Sequence, residues 1–282
     1  MSAAVSDRLA DRVIVITGAA GGFGSAAAEI AAERGARVVG ADLSEAALAG
    51  TFHPLAEQGL DVAWRATDVT DLADMQALVA FAVERFGRVD VMVNNAGLMP
   101  LAFYSDHHEA AAAWSAAIDV NLKGVLNGIA AVYDLMTAQG RGHVVNVSST
   151  YATLGSEGSG VYSATKSAVN VLTESLRVEA QGRIKVTIVR PSGVPTTGLG
   201  GTMVNPRAAV GNIGHHAKAA GPGVQQLLAG TLPPELADRD LITYFSLNAR
   251  DVGEAIVHVI DQPWGVSISD ITVRAAGEPY LL

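Results

Sequence analysis

The strongest constraint on the fold is a single junction near the start of the chain. Arg12 to Thr17 (RVIVIT) is a short, unbroken run dominated by β-branched residues, the signature of a strand buried on both faces. Gly18-Ala19-Ala20-Gly21-Gly22-Phe23-Gly24 follows at once, and an alanine-rich helical stretch then runs to about Arg34, where Gly35 stops it. A buried strand that turns through glycines directly into a helix has to send the chain across one face of a sheet. The next strand then lies parallel to the first.

The rest of the chain repeats that alternation. Further strands are predicted over Arg37–Ala41, Asp61–Ala66, Val89–Val93, Gly142–Val147, Ile184–Arg190 and Ser267–Arg274. Helices are predicted over Asp71–Phe86, with Asp71 as N-cap, and over Glu109–Thr137, Val161–Ala180 and Asp251–Ile260. The expected fold is an α/β domain: one parallel sheet with helices on both faces. No repeat, charge block or linker divides the chain. Thr197–Asn248 interrupts the rhythm with eight glycines, four prolines and no clean strand. Short helices are expected there at Gln225–Leu228 and Glu235–Asp238, and the segment reads as a cover over a ligand site.

Composition narrows the function. A formal charge of −9 gives nucleic acid no basic face to bind. The absence of cysteine excludes disulfides, thiolate nucleophiles and Cys-ligated metal sites. No apolar run reaches membrane-spanning length, and Met1–Arg12 lacks the apolar core of a signal peptide, so a cytoplasmic protein is expected. The histidine pairs His107-His108 and His215-His216 lack helical metal-site spacing and read as solvated loop residues, with a pocket-lining role open for His215 or His216. A hydrolase triad lacks its Gly-x-Ser-x-Gly elbow.

The candidate ligand groups fall at strand ends. In Thr17-Gly18-x-x-x-Gly22-x-Gly24, glycine lets the backbone approach a phosphate, and the following helix offers free N–H groups to it. Asp42, at the end of the second strand, can accept bonds from both hydroxyls of an adenosine ribose. A 2′-phosphate there would be repelled by about 4 kcal/mol at ~4 Å and an effective dielectric of ~20. Leu43 and Gly21 offer no compensating cation, so NAD is favoured over NADP. Capping of Ser44–Leu48 is a second use for Asp42. Asp68, Asn94–Gly97 and Ser149 end later strands on the same edge. Tyr162 and Lys166 lie one helical turn apart, where an ammonium can lower a phenol's pKa towards working pH for acid–base chemistry.

Together these motifs are similar to the short-chain dehydrogenase/reductase family. They are TGAAGGFG at Thr17–Gly24, Asp42, Asp68-Val69, NNAG at Asn94–Gly97, Asn121, Ser149, YSATK at Tyr162–Lys166 and the segment Pro191–Thr196. The resemblance implies one Rossmann-like, doubly wound domain, with a seven-stranded parallel sheet in three α/β/α layers. It implies an NAD-dependent oxidoreductase that interconverts a secondary alcohol and a ketone without a metal. Tyr162 would be the general acid or base. Lys166 would lower its pKa and hold the nicotinamide ribose, and Ser149 would hold the substrate oxygen. Asn121 would bind a water that relays protons from Lys166.

For the cofactor, the resemblance assigns Gly18, Gly22 and Gly24 to the pyrophosphate, Asp68 and Val69 to the adenine, Asn95 to the adenosine side, and Val194 and Thr196 to the nicotinamide carboxamide. Phe23, Leu43, Ala96, Gly97 and Pro191 complete the set. Two residues depart from the family pattern: Ser192, where glycine usually follows the proline, and Phe23, where a small aliphatic is usual. Walls from Leu98–Leu101, Thr150–Leu154, Pro195 and the long cover, mostly apolar with Thr150 and Tyr151 as polar exceptions, point to a neutral, hydrophobic substrate that is alicyclic, aromatic or steroid-like. Arg207 and Lys218 are the cations that would pair an anionic one. A homodimer or homotetramer is expected through the two long alanine-rich helices and the apolar tail Pro279–Leu282. The alternatives are an NAD-retaining epimerase or dehydratase, and a non-catalytic NAD sensor, against which the full set Asn121, Ser149, Tyr162 and Lys166 argues.

Overall fold

The computed structural model describes residues 8–195 and 197–279, without the side chains of Asn212 and His215. The expectations placed on Thr196, on the His215 side chain and on the tail beyond Pro279 therefore lie outside the described residues.

The strands β1 (Val13–Thr17), β2 (Arg37–Asp42), β3 (Val62–Ala66), β4 (Val91–Asn94), β5 (His143–Val147), β6 (Lys185–Pro191) and β7 (Asp270–Val273) form one seven-stranded sheet in the order β3-β2-β1-β4-β5-β6-β7. Every pairing is parallel. The order reverses between β1 and β4, which opens a crevice at the carboxyl ends of those strands.

Burial explains why the strands read as near-continuous apolar runs. All five residues of β1 are buried, and they alternate between the two faces. Ile14 and Ile16 pack with α1 (Gly22–Glu33), α2 (Glu45–Glu57) and the C-terminal helix, whereas Val15 packs with α3 (Leu72–Phe86) on the other side. Helices α5 (Gly124–Ala138) and α6 (Gly160–Glu179) share that second face. The result is a three-layer α/β/α sandwich.

Several elements differ from the sequence reading. Helix α2 runs on to Glu57, well past the expected Leu48; Ser44 caps it by accepting the Ala47 N–H at 3.2 Å, and buried Leu48 and Phe52 hold it to the sheet despite Gly50 and Pro54. The single helix expected over Glu109–Thr137 is α4 (His107–Ile118) and α5 joined by a π-helical turn, Asp119–Lys123, in which the Gly124 N–H reaches back to the Asp119 carbonyl. That extra residue turns Asn121 inward. His107 and His108 open α4 instead of lying in a loop, and their rings stack 3.9 Å apart.

The interrupting segment is more ordered than its glycines and prolines imply. It contains 3-10 turns at Gly198–Thr202, Pro206–Asn212 and Gly214–His216, then α7 (Ala217–Leu228) and α8 (Pro234–Ala237). Helix α7 is longer than expected because Pro222, with Gly221 and Gly223, obscures its periodicity. The sheet resumes through α9 (Ala249–Ile260), capped by reciprocal bonds between Asn248 and Asp251. Among the described residues, no helix is long and apolar enough to cross a membrane.

Candidate active site

The carboxyl ends of the strands open into a cleft of ≈ 360 Å³, within the range of ligand pockets. Its floor is the turn after β1. Gly18 and Gly22 take φ of +66° and +58°, left-handed values that favour glycine. A Cβ on Gly24 would lie 2.3 Å from the Gly18 carbonyl oxygen, so the turn closes on itself too tightly for any other residue. Asn95 locks it from β4: its Nδ2 donates to the carbonyls of Thr17 (2.9 Å) and Gly18 (3.0 Å). The Thr17 hydroxyl oxygen in turn accepts the N–H groups of Asn95 (3.1 Å) and Ala96 (3.2 Å).

Above this turn the first residues of α1, Gly22 and Phe23, line the cleft. Gly21 supplies no side-chain cap, and a Cβ there would meet nothing within 4 Å. Asp42 stands beside them; its carboxylate accepts the Leu43 N–H at 2.8 Å and the Ala20 N–H at 3.3 Å. Asp68 is braced by the N–H and hydroxyl of Thr70, both at 2.8 Å, and Val69 packs against Gly124 at the start of α5. Lys166 is the single cation on the described cleft wall, at the end away from Asp42.

At that end, α6 carries Tyr162 and Lys166 towards the end of β5. The Ser149 hydroxyl oxygen accepts the Tyr151 N–H at 3.2 Å, and Ser149 favours the phenolate of the buried Tyr162. The Tyr151 ring meets the Tyr162 ring edge-on at 5.2 Å. Asn121 is fully buried: Oδ1 accepts the Leu98 N–H at 2.8 Å, and Nδ2 donates to the Leu98 carbonyl (2.8 Å) and to Thr165 Oγ1 (3.1 Å). Gly97 fits between Asn121 and Lys166, since a Cβ there would be 3.3 Å from Asn121 Oδ1 and 3.6 Å from Lys166 Nζ.

The electrostatics correct one expectation. The sequence reading has the ammonium lower the phenol's pKa, but burial dominates both groups: it pushes Tyr162 up to about 12, with the Ser149 hydrogen bond pulling the other way, and it lowers Lys166 to about 8. In this structure it is Ser149, not Lys166, that favours the phenolate.

Of the residues picked from sequence, Gly18, Gly22, Phe23, Asp42, Leu43, Asp68, Val69, Asn95, Ala96, Gly97, Tyr162 and Lys166 form the cleft wall. Gly24, Asn121, Ser149 and Tyr151 support that wall from beside it. Pro191 ends β6, and Val194 packs into the core, its carbonyl accepting both the N–H and the hydroxyl of Thr197. Leu98 lines the cleft, whereas Leu154 is 63% exposed, and Arg207 and Lys218 are exposed and off the wall. Sequence reasoning missed Thr67, Val147 and Ser148, which lie one or two residues before the strand-end picks Asp68 and Ser149. It also missed Val120 in the π turn, and Thr197, Gly198 and Leu199, which border the glycine turn from the inserted segment.

Residues 12–205 match a family model described as short chain dehydrogenase. The chain belongs to the short chain dehydrogenase family. This short chain dehydrogenase is 31% identical over 273 residues to an uncharacterized oxidoreductase of Listeria monocytogenes, spanning 96% of this chain and 98% of that one. Its fold is similar to a short chain dehydrogenase/reductase from Burkholderia phymatum in complex with NAD (TM-score 0.73, 31% identity, 94% of this chain and 89% of that one). It is also similar to an alcohol dehydrogenase from the archaeon Thermococcus sibiricus complexed with 5-hydroxy-NADP (TM-score 0.74, 25% identity, 94% and 97%). The short chain dehydrogenase is an oxidoreductase that binds a nicotinamide dinucleotide and acts on a small organic substrate. Its cleft fits such a group: uncapped helix N–H groups and open space over Gly21 suit the pyrophosphate, and a carboxylate at the end of β2 suits a ribose.

Proposed function

We propose that this enzyme uses NAD to interconvert a secondary alcohol and a ketone, with Tyr162 as the proton-transfer group. The observation that carries the reading is that Tyr162 and Lys166, one helical turn apart on α6, both line the cleft, with Lys166 Nζ held on the Val147 carbonyl at 2.9 Å. Gly18, Gly22 and the first turn of α1 would hold the pyrophosphate, Asp42 the adenosine ribose, Asp68 and Val69 the adenine, and Lys166 the second ribose. When bound, the dinucleotide accepts or returns the hydride. Ser149 fixes the substrate oxygen within reach of Tyr162, whose phenol oxygen takes the hydroxyl proton in oxidation and gives it back in reduction. Asn121, joined to Leu98 and Thr165, holds the π turn against α6 and so fixes Lys166 relative to Gly97.

Asp42 supports NAD over NADP, because a 2′-phosphate would face its carboxylate with no cation on the wall nearby. The substrate is neutral and apolar: Leu101, Tyr151, Tyr162 and Ala208 form one buried cluster, with Met99, Phe103 and Met203 packed against it. Residues 197–248 would cover that cluster. Exposed Val171 and Val178 on α6 and Leu126 on α5 give the protein an apolar face for self-association as a dimer or tetramer. The reading is tested by following NADH absorbance with a panel of alcohols and ketones. Turnover of alicyclic, aromatic or steroid-like compounds is expected with NAD in preference to NADP. Activity confined to charged acids or acyl carriers would refute it.

A further inference from the structure

Ser192 follows directly on Pro191 at the end of β6, and the structure gives it a partner. Its N–H donates to the Val273 carbonyl at 3.0 Å, and its hydroxyl donates to Glu278 Oε2. The Glu278 side chain is only 3% exposed; Oε2 also accepts the Ala275 N–H at 3.3 Å, and Oε1 lies 2.6 Å from Arg274 Nη2. Burial raises the Glu278 carboxyl above its usual range, while Ser192, Arg274 and the Ala275 N–H pull it down. A carboxylate buried with three donors is costly to leave partly paired, so its geometry should be stiff.

The same C-terminal stretch holds the other end of the inserted segment. The Gly277 N–H donates to the Tyr244 carbonyl at 2.9 Å, and the Tyr244 hydroxyl donates to Asp251 at 2.7 Å. Residues 274–278 therefore clasp the chain both where it leaves β6 and where it returns to α9. From Ser192 the path to the cleft is short: the Val194 carbonyl accepts the Thr197 N–H (3.3 Å) and hydroxyl (3.0 Å), and Thr197, Gly198 and Leu199 line the cleft. The Thr197 side chain lies 3.8 Å from where a Gly22 Cβ would sit.

We propose that Glu278, acting through Ser192, is a positioning residue that fixes Ser192, Val194 and Thr197–Leu199 beside the glycine turn and thereby sets dinucleotide affinity. This rests on the reading of the cleft as the dinucleotide site. The test measures NAD dissociation constants by NADH displacement, KM for NAD and for substrate, kcat and Tm in Ser192→Ala, Glu278→Ala, Glu278→Gln and the double alanine variant. The alanine variants should weaken NAD binding and raise its KM together, by about 5- to 10-fold for loss of one hydrogen bond to a charged group, with kcat changed less than about twofold. Glu278→Gln keeps an acceptor for Ser192 and should stay near wild type, and the double variant should be no weaker than Glu278→Ala. Unchanged NAD binding in Ser192→Ala, or a fall in Tm alone, would overturn the proposal while leaving the cleft's assignment intact. Failure of the wild-type enzyme to bind either dinucleotide would overturn both.

Discussion

Lys166 donates from Nζ to the Val147 carbonyl at 2.9 Å and lies 6.0 Å from the centroid of the Tyr162 ring. The ammonium is anchored to the end of β5, and the tyrosine one turn before it on α6 is buried with its ring edge-on to that of Tyr151 at 5.2 Å. Tyr162 and Lys166 are therefore held by different contacts beside the end of β5.

The burial of Lys166 gives a pH signature. Because Lys166 is lowered to about 8 in the fold against an ordinary 10.5, the unfolded chain holds this proton more tightly between those values. Its contribution makes stability rise with pH across the window from about 8 to 10.5, by at most about 1.4 kcal/mol per pH unit. Lys166→Met should lose that slope as well as turnover. Thermal unfolding of both proteins at pH 8 and pH 9.5 checks it; equal slopes would contradict the burial argument.

Ser149→Ala should do two things. Under the proposed role of Ser149 in holding the substrate oxygen, removal of its hydroxyl should cost about 100-fold or more in kcat. It also removes the bond that lowers the Tyr162 pKa, so the phenolate forms less readily and the rising limb of the oxidation pH profile should move to higher pH. A pH profile of kcat/KM on the variant decides this; a limb in the wild-type position would show that Ser149 does not tune the phenol.

Asp42→Ala should narrow the preference between the two dinucleotides. Loss of the carboxylate removes the repulsion of a 2′-phosphate and the acceptor for the ribose hydroxyls, so kcat/KM with NADP relative to NAD should rise by about 10- to 100-fold, from part of the estimated ~4 kcal/mol. Steady-state kinetics with both dinucleotides measures it, and an unchanged ratio would remove Asp42 from the adenosine end.

Gly24→Ala places a methyl group 2.3 Å from the Gly18 carbonyl oxygen and 2.7 Å from Asn95 Nδ2. Backbone has to move, so the variant should lose about 1–3 kcal/mol of stability and bind dinucleotide poorly. Denaturant unfolding and a binding titration test both effects. Gly21→Ala, with open space at its Cβ, should retain the stability.

Much of this was legible in the sequence because parallel strands bury both faces and end at one edge. The runs at β1, β2 and β5 and the residues that close them, Thr17, Asp42 and Ser149, follow from that alone. Two features were not legible. The π turn at Asp119–Lys123 leaves no mark on helical periodicity, so Asn121 could be named but neither its inward turn nor Val120 on the cleft wall could be derived. Helix α7 forms against its propensity, with Pro222 in its interior and Gly223 close against the Phe245 ring. The pKa order at Tyr162 and Lys166 was unreadable for a different reason: spacing shows that two groups are near each other, but not how deeply both are buried.

The central claim, that Tyr162 moves the proton in a cleft built for a nicotinamide dinucleotide, is tested most directly by Tyr162→Phe. NAD binding by fluorescence titration and turnover with the best substrate from the panel are measured on the same preparation. Retained binding with kcat reduced by about 100-fold or more is the predicted result, in line with loss of a general acid–base group. Turnover within a few-fold of wild type, with binding intact, would contradict it.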